Sequence, residues 1–72
     1  MKVIRATHNK ESEYYLTALD DVHPFIRELR EKYDYAVQIT VITLNDKNGL
    51  FEIDSETFSR LHTGASNIAV YN

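Results

Sequence analysis

A single amphipathic stripe near the middle of the chain limits the fold more than any other feature of the sequence. Apolar side chains recur every three or four residues from Val22 to Tyr33, which is the period of one face of an α-helix. Asp20 or Asp21 can accept hydrogen bonds from the free N–H groups of the first turn. The pattern therefore predicts a helix over 21–33. The stripe consists of Val22, Phe25, Ile26, Leu29 and Tyr33.

Segments typical of β-strands lie on both sides of this helix. Lys2–Thr7 alternates in polarity and is rich in β-branched residues, and Tyr35–Leu44 has the strongest strand pattern in the chain. Glu13–Leu19 fits the period of a strand or of a helix. Its two tyrosines and its threonine favour the strand.

The rest of the chain predicts a return strand, a second helix and a final strand. The turn cluster Asn45–Gly49 followed by the short strand Leu50–Ile53 predicts a hairpin with the strand before it. Asp54 or Ser55 can then cap a short second helix. Asn67–Tyr71 has the composition of a last strand.

These elements predict one α+β domain over 1–72, with the order β-β-α-β-β-α-β. Without the first strand the order is βαββαβ, the split βαβ arrangement of ferredoxin-like folds. We therefore expect a mainly antiparallel sheet with both helices on one face. A helix at 11–20 would instead leave an α+β domain with fewer strands. The covered face would bury Leu16, Val37, Ile39, Val41, Phe51, Ile53, Ile68 and Val70.

If both helices cover one face, the other face of the sheet is open to solvent. Tyrosines on a rigid sheet offer a large contact area with a polar group, which suits an interface. A slip of one residue in strand phase would exchange the two faces, and half-exposed Tyr and Thr are also ordinary strand residues. The open face is expected to carry Tyr15, Thr17, Gln38, Thr40, Ile42, Glu52 and Tyr71.

The charge of the chain favours a protein partner over a nucleic acid. There are 11 acidic and 8 basic residues, for a formal net charge of −3, which opposes binding to a polyanion. The acidic residues are clustered, and such clusters could meet a basic protein surface. Those expected to contact a partner are Glu11, Glu13, Asp20 and Asp21.

The sequence lacks the patterns on which catalysis, metal binding or membrane insertion depends. It has no cysteine, so thiolate chemistry and zinc fingers are excluded, and a reducing compartment such as the cytoplasm is expected. His8, His23 and His62 do not have metal-ligand spacing, and no glycine-rich phosphate motif is present. No apolar run approaches the length of a membrane span. We therefore expect no catalytic residue, no cofactor, no metal ion and no membrane contact.

What remains is a non-catalytic protein-interaction module that binds or occludes a protein partner. One special case is an inhibitor of a nucleic-acid-binding protein, of the kind that phages and mobile elements encode. Pairing two sheet faces or two strand edges would give a homodimer. The alternative is a regulatory sheet domain that binds RNA or a small ligand, because a βαββαβ sheet with surface tyrosines can stack bases. The basic-aromatic pattern of RNA-recognition domains is missing, however.

Overall fold

A computed structural model describes residues 1–18, 20–33, 36–44 and 52–71. Within these residues it contains four strands and two helices, and the predicted α+β class is confirmed. Apart from the return strand predicted at Leu50–Ile53, the order of the elements, β-β-α-β-α-β, agrees with the sequence prediction. The elements are β1 (Lys2–His8), β2 (Glu11–Thr17), α1 (His23–Tyr33), β3 (Gln38–Thr43), α2 (Ser55–Gly64) and β4 (Ile68–Tyr71).

Two of the predicted strands differ in extent from the structure. In the ambiguous segment Glu13–Leu19, residues 13–17 lie in β2, as the tyrosines and the threonine suggested. Ala18 follows the strand, and Leu19 lies outside the described residues. The hairpin expected after β3 falls largely on residues 45–51, which also lie outside them. Glu52 and Ile53 are described and are not part of a strand.

A two-residue loop joins β1 to β2. His8 pairs with Glu11, so that only Asn9 and Lys10 lie between the strands. Both have positive φ angles, 48° for Asn9 and 67° for Lys10. Two successive positive φ angles give the loop a twist that matches the right-handed twist of a hairpin. Asparagine tolerates this region well, whereas lysine adopts it at a cost.

The sheet has the strand order β2-β1-β3-β4, and every neighbouring pair is antiparallel. Since β2 and β3 are both antiparallel to β1, they run parallel to each other with β1 between them. Helix α1 connects them, so β2-α1-β3 is a split βαβ unit in which the first strand of the chain fills the gap. Strands β2 and β4 are left as the two edges.

The two helices pack on opposite faces of the sheet, so the expectation that both would cover one face is wrong. Helix α1 packs on Ile4 and Val41, and Phe58 of α2 packs on Val3 and Ile42. Neighbouring residues of a strand point to opposite faces. Because β1 and β3 carry apolar residues in both phases, each face needs a cover of its own. We call these the α1 face and the α2 face.

The buried core is divided unequally between the two faces. The larger cluster lies under α1, where the predicted stripe supplies three buried residues, Val22, Ile26 and Leu29. On the α2 face, Phe58 is fully buried, and it is the only buried residue among those described in α2. Asp54 caps the start of α2, and its side chain accepts a hydrogen bond from the Thr57 N–H at 2.8 Å. Of the two residues predicted to cap this helix, Asp54 and Ser55, the structure uses Asp54.

Candidate protein-interaction edge

The residues expected on one open face are divided between the two covered faces. Tyr15 lies opposite Ile4, which lies opposite Val41, so these three share the α1 face. Thr40 is one residue out of phase with Val41, and it is buried on the α2 face with only 3% of its surface exposed. The α1 face also holds Thr17 and Tyr71, and the α2 face also holds Gln38 and Ile42.

Tyr15 is a packing residue of the α1 face. Its hydroxyl lies 3.1 Å from the Tyr33 hydroxyl, and its ring meets the Phe25 ring edge-on with centroids 5.2 Å apart. Burial, followed by the hydrogen bond to Tyr33, raises the pKa of Tyr15 well above its ordinary value. Tyr15 therefore presents less surface to a partner than the sequence suggested.

The acidic residues of the predicted binding surface are all exposed. Glu11 and Glu13 share one face of β2, at an edge of the sheet. Asp21 accepts hydrogen bonds from the backbone N–H of His23, at 3.0 Å, and from its ring Nδ1, at 2.8 Å, and these bonds lower the pKa of Asp21. Asp20 is exposed just before it. These carboxylates are accessible, as a contact with a basic surface would require.

Glu52 lies beside the β2 edge. Together with the neighbouring Ile53 it borders an open groove of about 490 Å³. The groove contains aromatic and apolar side chains from both faces of β2 and from α1: Tyr14, Tyr15, Leu16 and Phe25. The β2 edge is thus flanked by the segment that leads into α2.

Strand β4 forms the other edge, and none of its four residues is charged. Ile68 and Val70 point to the α2 face and are 36% and 53% exposed, and Ala69 between them is exposed as well. In the described parts of the chain, β4 pairs with β3 and with no second strand. The edge of a sheet that carries no charged side chain is a template for a further strand.

The sequence prediction placed Ile68 and Val70 in the core, and the position of α2 explains why this was wrong. Phe58 contacts the Tyr14 ring on β2, with centroids 5.5 Å apart, and it packs with Val3 and Ile42. Helix α2 therefore covers the β2 side of its face, and β4 lies beyond it. The alternating pattern of a strand shows which residues share a face. It does not show how far a short helix extends over that face.

A groove of about 410 Å³ runs along the α1 face beside β4. Tyr71 and His23 meet there with their rings edge-on and 6.0 Å apart. The groove carries two arginines and one glutamate, so charges of both signs lie next to the apolar edge. Its lining consists of His23, Ile26, Arg27, Arg30, Glu31 and Tyr71.

The histidines are placed separately. The His8 ring stacks on Tyr33 with centroids 4.1 Å apart, and the His62 ring stacks on Phe58 at 5.9 Å. His23 is paired with Asp21 at the start of α1. Over residues 1–18, 20–33, 36–44 and 52–71, no three His, Asp or Glu side chains come together in a way that could hold a metal ion.

No protein-family model, curated protein or solved structure matches this chain. Neither of the two helices in the described residues is long and apolar enough to cross a membrane. The assignment of a function consequently depends on the geometry of the molecule itself.

Proposed function

We propose that this chain is a non-catalytic protein-interaction module that binds its partner along the β4 edge. The observation that carries the proposal is that β4 is an exposed edge strand without a charged residue, in which the side chain of Val70 is 53% exposed. Small proteins usually protect such an edge with a charge, a proline or a covering loop. None of these devices is present on β4 in the described residues, and such an edge is suited to pairing with a strand from outside.

Strand addition would use both sides of β4. The main chain of the partner would hydrogen-bond to the free backbone groups, and its side chains would alternate between the two faces. On the α2 face they would meet Ile68 and Val70. On the α1 face they would meet Tyr71 and the groove that contains Arg27. The backbone supplies affinity in this mode, and the groove supplies selectivity.

The acidic residues supply a second part of the proposal. Glu11, Glu13, Asp20 and Asp21 are exposed, and carboxylates of this kind speed the encounter with a basic partner and select for it. A nucleic-acid-binding protein has such a basic surface, so an inhibitor that occludes one, as phages and mobile elements encode, is a special case of this function. The lack of cysteine supports a cytoplasmic setting for it.

The alternative of RNA binding has less geometric support. Base stacking needs aromatic rings on an open sheet face. Tyr15 packs against Phe25 under α1, and Tyr14 packs against Phe58 under α2. Each face of the sheet has a helix over it, so these rings are engaged within the protein.

The proposal is tested by affinity capture with the full chain and matched lysine variants. Val70→Lys places a charge on the β4 edge, and Ser59→Lys places the same charge on an exposed position of α2. We expect a stoichiometric protein that survives nuclease treatment, is retained by Ser59→Lys and is lost with Val70→Lys. Circular dichroism of each variant verifies that it is folded.

Two results would contradict the proposal. Equal retention by both lysine variants would remove the β4 edge from the interaction. Capture that disappears with nuclease would transfer the function to nucleic-acid binding. A further variant, Glu11→Lys with Glu13→Lys, tests the acidic surface, and it should slow association with a basic partner more than it speeds dissociation.

A further inference from the structure

We infer that the occupant of the β4 edge is a second copy of this chain, whose β4 pairs antiparallel with the first across a two-fold axis. The inference rests on the proposed function and names the partner. Two four-stranded sheets would join into one continuous sheet, with the α1 face of both copies on the same side. The sequence of β4, the charges beside it and the properties of the other edge support this arrangement.

The sequence of β4 is complementary to itself. A two-fold axis perpendicular to the sheet at Ala69 places Ala69 opposite the partner's Ala69. Ile68 then lies opposite the partner's Val70, and the same contact occurs twice. Both members of this pair are β-branched and point to the α2 face, where each is exposed in the single copy. Apolar β-branched pairs across neighbouring strands stabilise a sheet.

The groove beside β4 has the mixed charge that a symmetric contact requires. A patch of one sign would meet the same sign in a second copy and repel it, whereas this groove contains Arg27, Arg30 and Glu31. The two-fold axis sets the two grooves side by side. Arg27 of one copy can then approach the partner's Glu31, and the reciprocal pair forms at the same time.

The β2 edge opposes the same kind of pairing. Its exposed Glu11 and Glu13 would face the same carboxylates in a second copy, and like charges on neighbouring strands are destabilising. Glu52 lies beside this edge and adds a third carboxylate. Pairing through β4 alone uses up the permissive edge of each copy. The assembly therefore closes as a dimer and does not grow into a filament.

The length of β4 sets the expected strength of the dimer. A standard interface takes about 800 Å² from each partner, which is more than a strand of four residues can supply. The flank of α1 with Arg27, Arg30 and Glu31 must contribute the rest. We therefore expect a reversible dimer whose population depends on protein concentration and on these side chains.

Sedimentation equilibrium of the purified full chain, from micromolar to millimolar concentration, tests the inference. We expect the unmodified chain to pass from monomer to dimer over this range. Val70→Lys should raise the dimer dissociation constant at least about tenfold, because the substitution acts twice at the axis. Ser59→Lys, which adds the same charge away from β4, should dimerise as the unmodified chain does.

A charge swap tests the groove, and circular dichroism of each variant verifies that α1 is intact, because Arg27 and Glu31 also lie four residues apart on that helix. Arg27→Glu should weaken the dimer, since each groove would then carry two acids against one arginine. Glu31→Arg in the same chain restores the original balance and should recover dimerisation. Both residues are exposed on α1, so neither change removes a buried contact.

The outcomes separate this inference from the proposed function. A chain that stays monomeric at millimolar concentration overturns the dimer, and so does a dimer that Val70→Lys leaves unchanged. If the monomeric chain still captures another protein through Val70, the occupant is a different protein and the interaction module stands. If capture is also insensitive to Val70→Lys, both proposals fail.

Discussion

The two edge strands of this sheet differ in how well they are protected against pairing with a further strand. Strand β2 has seven residues, it is joined to β1 by a two-residue loop, and its exposed side carries Glu11 and Glu13. Strand β4 has four residues, no charge, and two exposed branched side chains, Ile68 and Val70. One edge is protected against further pairing, and the other has no such protection in the described residues.

The difference extends to how each edge is held in place. Both helices contact β2, because Tyr15 packs with Phe25 of α1 and Tyr14 packs with Phe58 of α2. In β4, Tyr71 packs against the core cluster under α1, whereas Ile68, Ala69 and Val70 are exposed. Strand β2 is thus stabilised by side chains on both faces, and β4 chiefly by its hydrogen bonds to β3. The least covered strand is the one most open to a partner.

Removing the side chain that holds α2 against β2 should have the largest effect. Phe58→Ala leaves a cavity in the smaller core cluster and removes the contacts with Tyr14 and with Arg5, whose guanidinium lies 4.8 Å from the ring centroid. The expected loss is about 3–5 kcal/mol. A domain of this length has about 4–10 kcal/mol in total, so this variant approaches complete unfolding.

Urea unfolding followed by circular dichroism measures the Phe58 loss, with Phe58→Leu as the milder companion. Val70→Ala is the matched change on the other edge, and exposed sites of this kind change stability by less than about 0.5 kcal/mol. Similar losses for Phe58→Ala and Val70→Ala in the monomer would contradict the difference in cover between the two edges.

Removing the hydroxyl that ties β2 to α1 should have an intermediate effect. Tyr15→Phe loses the hydrogen bond to Tyr33 and should lower the free energy of unfolding by about 0.5–1.5 kcal/mol at neutral pH. Tyr33→Phe should cost a similar amount. The double variant should cost less than the sum of the two, since they remove one and the same bond.

The raised pKa of the Tyr15 hydroxyl predicts that the stability of the fold decreases at alkaline pH. The pKa of Tyr15 is higher in the folded chain than in the unfolded chain, so folding favours its protonated form. The stability that this supplies is complete below about pH 10 and falls as the pH rises further. Tyr15→Phe should therefore lose less stability than the unmodified chain between neutral and strongly alkaline pH. Parallel pH curves for the two proteins would refute this cause.

Relieving the backbone strain at Lys10 in the hairpin loop should have the smallest effect, and it should raise the stability instead of lowering it. Lys10 has a φ angle of 67°, which glycine adopts without penalty. Lys10→Gly should raise the free energy of unfolding by about 0.5–1 kcal/mol, and Lys10→Ala should not. Thermal unfolding compares the two. A gain that alanine also produces would show that the lysine charge, and not its backbone, was the cause.

Much of the fold could be predicted because it depends on patterns within short segments. The helical period from Val22 to Tyr33, the strand pattern after it and the cap at Asp54 each specify a local structure. The assignment of β2 was open because Glu13–Leu19 fits two periods. Its pairing with β1 decided the matter, and pairing is a property of the folded chain.

The candidate edge could not be predicted, because it depends on how distant elements are placed. Alternation shows that Thr40 and Val41 point to opposite faces, and it does not show that both faces are covered. Likewise, isoleucine and valine usually occur in the core, and the sequence does not show that Ile68 and Val70 are exposed. They are exposed because α2 lies toward β2, a fact about tertiary packing that no segment of the sequence contains.

The interior position of β1 has a consequence for how the chain folds during its synthesis. On one side β1 pairs with β2, which follows it directly in the sequence. On the other side it pairs with β3, where the Lys2 ammonium donates a hydrogen bond to the Thr43 hydroxyl, 41 positions away. The hairpin can form as soon as it leaves the ribosome, but it then exposes one bare edge and both of its apolar faces. Closing the distant contact is slow relative to forming the hairpin. The nascent chain is therefore most prone to aggregate in the interval before β3 emerges, and a pause in translation there would prolong that exposure.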